Sequence, residues 1–294
     1  MTLGEAIREG SDILREGGVE IPERTAMWLW MFVTSMAKHD VLINWHKPVN
    51  VSDYAAYMQF IKRRAHREPL QYITHETEFC GLHFYVDQRV LIPRPETEIL
   101  VREALCELSR MTADSLTIVD IGTGSGAIII SIAHYLAQQQ DLHRFRFFAT
   151  DLSEDALTVA KINAKEHGVD SLIEFRQGSL LEALPQEVAS IDLLVSNPPY
   201  IPASDKNLIQ PEVVDYEPHL ALFADDDGMA VYRELMRQSR PVLNKSALIV
   251  CEVGLLQSIQ VADLMRSTWP DISVRMVRDA QAIERIVVGK MSSF

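Results

Sequence analysis

The spacing of hydrophobic and polar residues changes along the chain and divides it into three stretches. Up to residue 70 the apolar positions are spaced as on helix faces, and they predict three amphipathic helices packed as a small bundle. Gly17 and Gly18 separate the first helix from the second, which we expect over Pro22–His39. The third helix is expected to begin at Ser52, with that residue as its N-cap, and to run towards Arg67.

Residues 71–94 are rich in β-branched and aromatic side chains. Short runs of this kind lie at 72–74, 78–79, 84–86 and 90–92, with Gly81 among them. They predict a β-hairpin or an extended linker. Pro95, followed by Glu96 and Glu98, is typical of a helix start, because proline suits the first helical position and acidic side chains complement the helix dipole.

From residue 95 onward, apolar β-branched strands alternate with helices. The predicted strands are Thr117–Ile121, Phe145–Ala149, Ile173–Arg176, Ile191–Ser196, Ala247–Val253, Ser273–Val277 and Glu284–Val288. Helices are predicted over 127–137, 153–168, 228–243 and 255–268, with Ser153 as a cap and Gly168 as a terminator. The last two strands have no helix between them and should be antiparallel. Such alternation predicts a mostly parallel, doubly wound α/β sheet that binds ligands at the carboxyl ends of its strands.

Composition and charge narrow the class of protein. The chain has 294 residues and a formal net charge of −13 at pH 7, and an acidic surface disfavours binding to bare nucleic acid. The dense basic cluster at 63–67 is interpreted as a solvated helix end. The three cysteines are far apart and form no CxxC pair, so we expect buried, reduced thiols without a disulfide or a metal site. The N-terminus lacks an apolar core, and the apolar stretch Ala26–Ala37 is too short to span a bilayer, so we expect a cytoplasmic protein that does not bind membranes.

A glycine-rich turn joins the predicted strand Thr117–Ile121 to the helix after it. The turn consists of Gly122, Thr123, Gly124, Ser125 and Gly126. Glycines allow the backbone to turn sharply and to approach a ligand closely, and Asp151 ends the next strand at the distance expected for a ribose-binding acid. The residues alone fit a dinucleotide fingerprint, the loop of S-adenosylmethionine enzymes, or a strand–helix connection without a ligand.

The segment Asn197-Pro198-Pro199-Tyr200 directly follows the apolar strand Ile191–Ser196, beside the expected cofactor crevice. Residues of these types suit methyl transfer to an amide nitrogen, which is a poor nucleophile because its lone pair is delocalised into the carbonyl. The Asn197 side-chain oxygen and the Pro198 carbonyl are acceptors for both N–H bonds of such an amide. The prolines stiffen the loop and Tyr200 offers a flat face. Taken by itself, the segment is also compatible with an ordinary turn.

Together these motifs resemble the release factor glutamine N5-methyltransferases of the HemK/PrmC type, and the similarity covers nearly the whole chain. The matching segments are the glycine loop, NPPY, PLQYI (69–73), EFCGLHFYV (78–86), LIPRPETE (91–98), YEPHLALF (216–223) and DDGMAVYREL (226–235). The resemblance implies a class I, Rossmann-like methyltransferase with a seven-stranded, mostly parallel sheet and a helical N-terminal domain that helps to dock the release factor. We accordingly place the helical domain at 1–70, a hairpin or linker at 71–94 and the methyltransferase domain at 95–294.

The resemblance also implies the site residues and the chemistry. S-adenosylmethionine would be the cofactor, and the residues expected around it are Gly122, Thr123, Gly124, Ser125, Gly126, Asp151, Ser179, Leu180 and Asn197. Residues Asn197–Tyr200 would hold the glutamine of a Gly-Gly-Gln loop in a peptide chain release factor. Ser179 stands where relatives often have an aspartate that contacts adenine, and its hydroxyl can accept the same hydrogen bond. Leu180 stands where they often have an aromatic. Asp279–Arg285 departs from a glycine-containing pattern, which we expect to affect only a turn.

Other functions remain open on the sequence. One is glutamine methylation of a ribosomal protein. Another is adenine-N6 methylation of nucleic acid, which would require base flipping and a basic groove. From another class, a nicotinamide-dependent oxidoreductase or a nucleoside-binding module would leave NPPY without a role. We expect a monomer, because a macromolecular substrate must reach the crevice.

Acidic residues occur near the expected crevice and in one short run. The candidates for lining the crevice are Glu96, Glu98, Glu217 and Glu252. The run Asp225–Gly228 lacks the alternating ligand spacing of a calcium loop, and we interpret it as a polar turn at a helix start.

Overall fold

The computed structural model describes residues 1–139, 142–188 and 190–291, and the chain forms two compact units. The first unit contains Met1–Glu76 and Gln210–Tyr216, and the second contains Thr77–Ile209 and Glu217–Phe294. The first unit therefore extends beyond residue 70 and includes the segment Gln210–Tyr216, which is remote in sequence. The pattern of residues along the chain does not show that this segment belongs to the helical unit. Within the described ranges, no helix is both long and apolar enough to cross a membrane.

The first unit is helical. Its helices span Leu3–Glu16, Pro22–Thr34, Lys38–Ile43, Val51–Ala65, Leu70–Thr74 and Pro211–Tyr216. The longer ones pack around a shared apolar core, in which the Trp30 and Tyr57 rings meet edge to face with centroids 5.2 Å apart. The predicted helical bundle is confirmed, with additional short helices.

Three predicted details of the first unit are wrong. The second helix ends at Thr34 and not at His39, because Ser35 takes a left-handed backbone conformation (φ 53°) without a glycine to mark it. Asn50, and not Ser52, caps the next long helix, since Asn50 Oδ1 accepts the Ser52 N–H at 2.9 Å. The run Tyr72–Thr74 is the end of a helix and not a strand, because its side chains are buried within the helical first unit.

The basic cluster at the end of Val51–Ala65 is paired with acids and is not simply solvated. Arg63 pairs with Glu68, while Arg64 and Arg67 both pair with Glu212. The Arg64 side chain is only 11% exposed. Burial opposes ionisation of Glu212, but the hydrogen bonds from the two arginines prevail and lower its pKa. The cluster is therefore an internal ion-pair network of the first unit.

A short hairpin, Glu76–Phe79 and Leu82–Tyr85, lies in the stretch predicted as hairpin or linker. The fourth apolar run of that stretch, at 90–92, is not a strand. Val90 and Ile92 are buried, and the Ile92 N–H donates to Glu217 Oε2 at 3.1 Å. Because a carboxylate satisfies this backbone group, the segment needs no neighbouring strand.

A seven-stranded sheet forms the centre of the second unit. Its strands are β1 (Leu116–Ile121), β2 (Phe145–Asp151), β3 (Ile173–Gln177), β4 (Ile191–Ser196), β5 (Leu243–Glu252), β6 (Ser273–Arg278) and β7 (Glu284–Lys290). The spatial order is β6-β7-β5-β4-β1-β2-β3, and β7 is antiparallel to both β5 and β6. The remaining pairs are parallel, so the predicted sheet and its antiparallel last pair are confirmed.

Helices cover both faces of this sheet. The longer helices are Glu98–Leu108, Ala127–Ala137, Glu154–Glu166, Ala230–Ser239 and Ser258–Thr268. Shorter elements are the 3₁₀ turns Pro95–Thr97, Leu142–Arg144, Leu180–Ala183 and Ala203–Leu208, the helix His219–Leu222, and the paired strands Ile201–Pro202 and Phe223–Ala224. Alternate residues of β1 belong to different cores, since Ile118 packs with one apolar cluster and Val119 with the other.

The topology reverses between β1 and β4. The chain passes from β1 to β2 and β3 on one side, then returns to place β4 on the other side of β1. In open parallel sheets, ligands bind outside the carboxyl ends of the strands at such a reversal. The glycine loop follows β1 and NPPY follows β4, so the fold places both motifs at this point.

The cysteines only partly match the expectation of buried thiols. All three are free, with Cys251 buried and Cys80 half-buried. Cys106 is exposed, contrary to the prediction, because its helix Glu98–Leu108 turns that position away from the sheet.

Candidate active site

A cavity of about 380 Å³ lies at the carboxyl ends of β1, β2, β3 and β4. The predicted site residues that line it are Gly122, Gly124, Asp151, Ser179, Leu180, Asn197 and Pro199. The predicted residues outside its lining are Thr123, Ser125, Gly126, Pro198 and Tyr200. One cavity therefore brings together the glycine loop, the acid after the second strand, and part of NPPY.

The glycine loop leaves open space above its backbone. Gly122 and Gly124 have φ values of 70° and 55°, and a Cβ built on either would meet no atom within 4 Å. The N–H groups of Gly122 and Thr123 both donate to Thr150 O, at 2.9 and 3.0 Å. The loop is thus held down at its base, while its upper surface is free for close approach of a ligand.

The other loop residues have roles inside the fold. Thr123 Oγ1 donates to Asp120 Oδ2 at 2.7 Å. A Cβ on Gly126 would lie 2.6 Å from the Ile130 side chain and 3.2 Å from Ala160 Cβ. Gly126 therefore allows tight packing of the following helix and does not face the cavity.

Asp151 is oriented by two backbone donors. Its Oδ2 accepts from Gly124 N and its Oδ1 from Ser153 N, both at 2.9 Å. Burial raises its pKa, although these two N–H groups act in the opposite direction. The carboxylate is held rigidly at the cavity wall, with further lone pairs that can accept hydrogen bonds from hydroxyl groups.

Two polar atoms near the loop have no partner among the described residues. Thr150 Oγ1 is buried and unpaired, and Thr150 lines the cavity. Asp120 Oδ1 is also unpaired, and burial raises the pKa of Asp120 to about 7. Unpaired buried polar atoms are rare in native proteins, and since Thr150 lines the cavity while Asp120 does not, it is the Thr150 hydroxyl that suits this end of the cavity to a polar ligand.

The NPPY segment is tied to the fold at both ends. Asn197 Nδ2 donates to Thr97 Oγ1 at 3.3 Å, and Asn197 lines the cavity. The Tyr200 hydroxyl donates to Glu252 Oε1 at 3.4 Å. Gln257 Nε2 donates to the Tyr200 carbonyl at 2.9 Å. These bonds fix the loop and turn the Tyr200 hydroxyl away from the cavity.

The chain is similar to known proteins over nearly its whole length. The model of the PrmC N-terminal domain matches residues 5–74, and a methyltransferase domain model matches residues 112–267. The release factor glutamine methyltransferase of Geobacter sulfurreducens is 36% identical over 95% of this chain and 93% of its own length. That of Moorella thermoacetica is 39% identical over 91% and 90%.

The chain belongs to the release factor glutamine methyltransferase family. The resemblance found in the sequence is thereby confirmed, and the chain is an S-adenosylmethionine-dependent methyltransferase. Among solved structures, the hMettl16 catalytic domain in complex with a MAT2A 3′UTR hairpin matches with a TM-score of 0.54 and 15% identity, over 90% of this chain and 91% of that one. This likeness shows the fold alone.

The cavity of this methyltransferase fits its cofactor. Besides the open glycine loop and the oriented Asp151, it has an apolar wall. The apolar lining residues include Leu180, Pro199, Leu220, Ala221 and Val231. A polar end beside an apolar wall matches a molecule with a charged amino-acid part and a flat adenine.

Several lining residues of this methyltransferase were missed from the sequence. They are Arg89, Val90, Leu91, Thr150, Leu152, Ser153, Ala156, Gly178, Pro218, Leu220, Ala221, Ala230, Val231 and Glu234. Some of them lie in segments that carried the family resemblance, namely LIPRPETE, YEPHLALF and DDGMAVYREL. The family resemblance of these segments was the signal in the sequence that could have indicated them. Thr97 contacts Asn197 and Glu252 contacts Tyr200; Thr97 lies within LIPRPETE, but no short motif relates it to Glu252.

The four acids expected at the crevice lie outside the cavity lining. Glu98 Oε1 accepts from Cys80 N at 2.8 Å, and buried Glu217 pairs with Arg94. Glu252 lies beneath NPPY, and burial raises its pKa to about 7. These carboxylates support loops because the backbone and side-chain donors around them need acceptors.

The acidic run Asp225–Gly228 is a turn before the helix Ala230–Ser239, as predicted. Asp226, Asp227 and Gly228 all have positive φ there. The described residues contain no group of His, Cys, Asp and Glu side chains suited to holding a metal ion.

Proposed function

We propose that this enzyme transfers a methyl group from S-adenosylmethionine to the side-chain amide nitrogen of the glutamine in the Gly-Gly-Gln loop of a peptide chain release factor. One observation carries the proposal. Asn197 lines the same cavity as Gly122, Gly124 and Asp151. An amide-binding group thus lies beside a nucleoside-binding surface.

The cofactor site follows from the geometry of the loop and the acid. When bound, S-adenosylmethionine supplies an electrophilic methyl group on a sulfonium. The Asp151 carboxylate, whose orientation is fixed by Gly124 N and Ser153 N, would accept hydrogen bonds from the ribose hydroxyls. Gly122 and Gly124 would allow the amino-acid part to approach the backbone. Ser179 and Leu180, which line the cavity, would hold the adenine.

The glutamine site must make a delocalised nitrogen reactive. Asn197 Oδ1 and the Pro198 carbonyl accept the two N–H bonds of the substrate amide, which aligns the nitrogen and stabilises the positive charge that develops on it. Pro199 keeps the loop stiff. Tyr200 contributes by anchoring the loop through its hydroxyl on Glu252. No base is required before transfer, because the methylated nitrogen is acidic enough to lose its proton afterwards.

The partner in this proposal is a folded protein substrate and not a free glutamine. The Geobacter sulfurreducens and Moorella thermoacetica relatives are release factor glutamine methyltransferases by name. We assign docking of the release factor to the helical first unit, and we expect the enzyme to act as a monomer. Since release factors act in translation termination, we place the reaction in the cytoplasm. The net charge of −13 disfavours nucleic acid as a direct partner.

The test is incubation of the purified enzyme with methyl-labelled S-adenosylmethionine and an unmodified release factor, followed by peptide mapping. We expect one methyl on the glutamine of the Gly-Gly-Gln loop, and none when that glutamine is replaced. Ribosomal proteins and nucleic acid are offered in parallel. Label that accumulates on either of them, with the release factor unmodified, would contradict the proposed substrate.

A further inference from the structure

Two residues behind NPPY form a hydrogen-bonded chain that leads to Asn197. Thr97 lies at the end of the 3₁₀ turn Pro95–Thr97, and Glu252 is the last residue of β5. Thr97 Oγ1 donates to Glu252 Oε2 at 2.5 Å and accepts from Asn197 Nδ2 at 3.3 Å. Thr97 is 4% exposed and Glu252 2% exposed, so water cannot readily replace either bond.

The direction of this chain of bonds follows from the chemistry of its first member. Above about pH 7, where Glu252 is ionised, its carboxylate can only accept hydrogen bonds, so the Thr97 hydroxyl donates its proton to Glu252. The Thr97 oxygen then presents only lone pairs to its other neighbour. Asn197 must meet it with the amide NH₂, which is the orientation observed. The amide oxygen, Oδ1, is left without a donor among the described residues, and Asn197 is one of the residues that line the cavity.

A second arm reaches the other end of NPPY. The Tyr200 hydroxyl donates to Glu252 Oε1 at 3.4 Å, and the Tyr232 hydroxyl donates to the Glu252 carbonyl at 2.7 Å. The bond from Tyr232 therefore fixes the Glu252 backbone. One carboxylate oxygen accepts from Thr97, which contacts Asn197, and the other accepts from Tyr200. The Thr97–Glu252 and Tyr200–Glu252 bonds join segments that are far apart in sequence, so they fix the NPPY loop against the sheet.

We propose that Glu252 and Thr97 are positioning residues, which hold the Asn197 amide with its oxygen turned to the substrate. This inference rests on the proposed function, because it assumes that Asn197 Oδ1 accepts a bond from the substrate amide. A reversed Asn197 side chain would present its NH₂ to the substrate NH₂. Two donors facing each other repel, so the amide nitrogen would lose its alignment with the methyl group.

Stability alone does not account for a carboxylate at this position. Removing a buried carboxylate from water carries a large penalty, and the hydrogen bonds to the Glu252 carboxylate come from the neutral hydroxyls of Thr97 and Tyr200 and not from a basic side chain. A structural role and a positioning role therefore predict different results. Loss of a structural group lowers the melting temperature, whereas loss of a positioning group lowers the rate at an unchanged melting temperature.

The experiment uses the full chain with the variants Thr97→Val, Thr97→Ser, Glu252→Met and the double variant Thr97→Val/Glu252→Met. Thr117→Val is the matched control, since Thr117 is a buried threonine of β1 outside this network. Single-turnover methylation of a release factor is measured at saturating cofactor, together with the Kd for S-adenosylmethionine and the melting temperature.

We expect the rate to fall by about 10- to 100-fold in Thr97→Val and in Glu252→Met, with the Kd and the melting temperature close to those of the wild type. Thr97→Ser should recover most of the rate, and Thr117→Val should keep it. The double variant should be no slower than the slower single variant, because both act through one amide.

Wild-type rates in Thr97→Val and Glu252→Met would overturn the inference. So would a rate that falls only in step with the melting temperature and is not restored by Thr97→Ser. A wild-type enzyme that methylates another protein and not the release factor would overturn the proposed function instead. The same variants measured on that protein would then still decide the role of Thr97 and Glu252.

Discussion

The N–H of Gly124 donates a 2.9 Å hydrogen bond to Asp151 Oδ2, although the two residues are 27 positions apart. This bond joins the glycine loop after β1 to the acid at the end of β2. It also limits where the loop can lie, because the carboxylate is fixed on its other side by Ser153 N. The two halves of the proposed cofactor site are thus a single rigid unit.

Substitution of Gly124 by alanine tests whether the space above the loop holds the cofactor. A methyl group at this position would point into the open cavity, from a backbone with φ of 55°. We expect the Kd for S-adenosylmethionine to rise at least tenfold, in addition to a stability loss of about 1 kcal/mol from the left-handed conformation. Isothermal titration calorimetry and urea denaturation measure the two effects.

Gly168→Ala is the matched control for this strain. Gly168 has φ of 67° and also has no atom within 4 Å of an added Cβ, but it follows a helix and does not line the cavity. It should lose similar stability with an unchanged Kd. Equal effects of the two substitutions on the Kd would exclude the glycine loop as the cofactor site.

Glu252 should make the free energy of unfolding depend on pH. Burial raises its pKa to about 7 from an ordinary value of 4.5, with Glu96 adding to the shift and Arg285 opposing it. Between these values the folded protein holds a proton that the unfolded chain releases. The stability contribution is therefore full below about pH 4.5 and is lost as the pH rises through about 7. Asp120, whose pKa is also raised to about 7, acts in the same direction.

We expect Glu252→Gln to reduce the fall in unfolding free energy between pH 5 and pH 8 by about 1–3 kcal/mol. Urea denaturation at the two pH values measures it, with the exposed Glu16→Gln as the control. An unchanged pH dependence in Glu252→Gln would show that this carboxyl group titrates normally in the folded enzyme.

The turn between β6 and β7 should be stabilised by a glycine. Ala282 has φ of 63°, which costs an alanine about 1–2 kcal/mol, and Asp279 Oδ1 holds this turn by accepting the Gln281 and Ile283 N–H groups. Ala282→Gly should raise the free energy of unfolding by about 0.5–1 kcal/mol, after the greater flexibility of glycine in the unfolded chain is subtracted. Ala282→Val should lower it. Chemical denaturation decides the sign, and a decrease for Ala282→Gly would refute the argument.

The sheet could be predicted from the sequence because its strands are buried runs of apolar, β-branched residues. The predicted Ile191–Ser196 coincides with β4, and Thr117–Ile121 misses only the first residue of β1. The same preference failed at Tyr72–Thr74, where tertiary packing favours a helix over local β-propensity. It also failed at 90–92, where a glutamate side chain satisfies the backbone and takes the place of a neighbouring strand.

The site could be predicted only where a short motif carries it. The glycine loop, Asp151 and Asn197 meet at one cavity, as their positions after β1, at the end of β2 and after β4 require. The bond between Thr97 and Glu252 joins residues 155 positions apart. No periodicity or local spacing relates two such residues, so their contact depends on the complete fold.

The most direct test of the account is the single-turnover methylation rate of Asn197→Ala on a release factor at saturating S-adenosylmethionine. The substitution removes the side-chain oxygen that we assign to the substrate amide. We predict a rate about 10²–10³-fold below that of the wild type, with little change in the Kd for the cofactor. A rate within a fewfold of the wild type would contradict the assignment of NPPY as the site of methyl transfer.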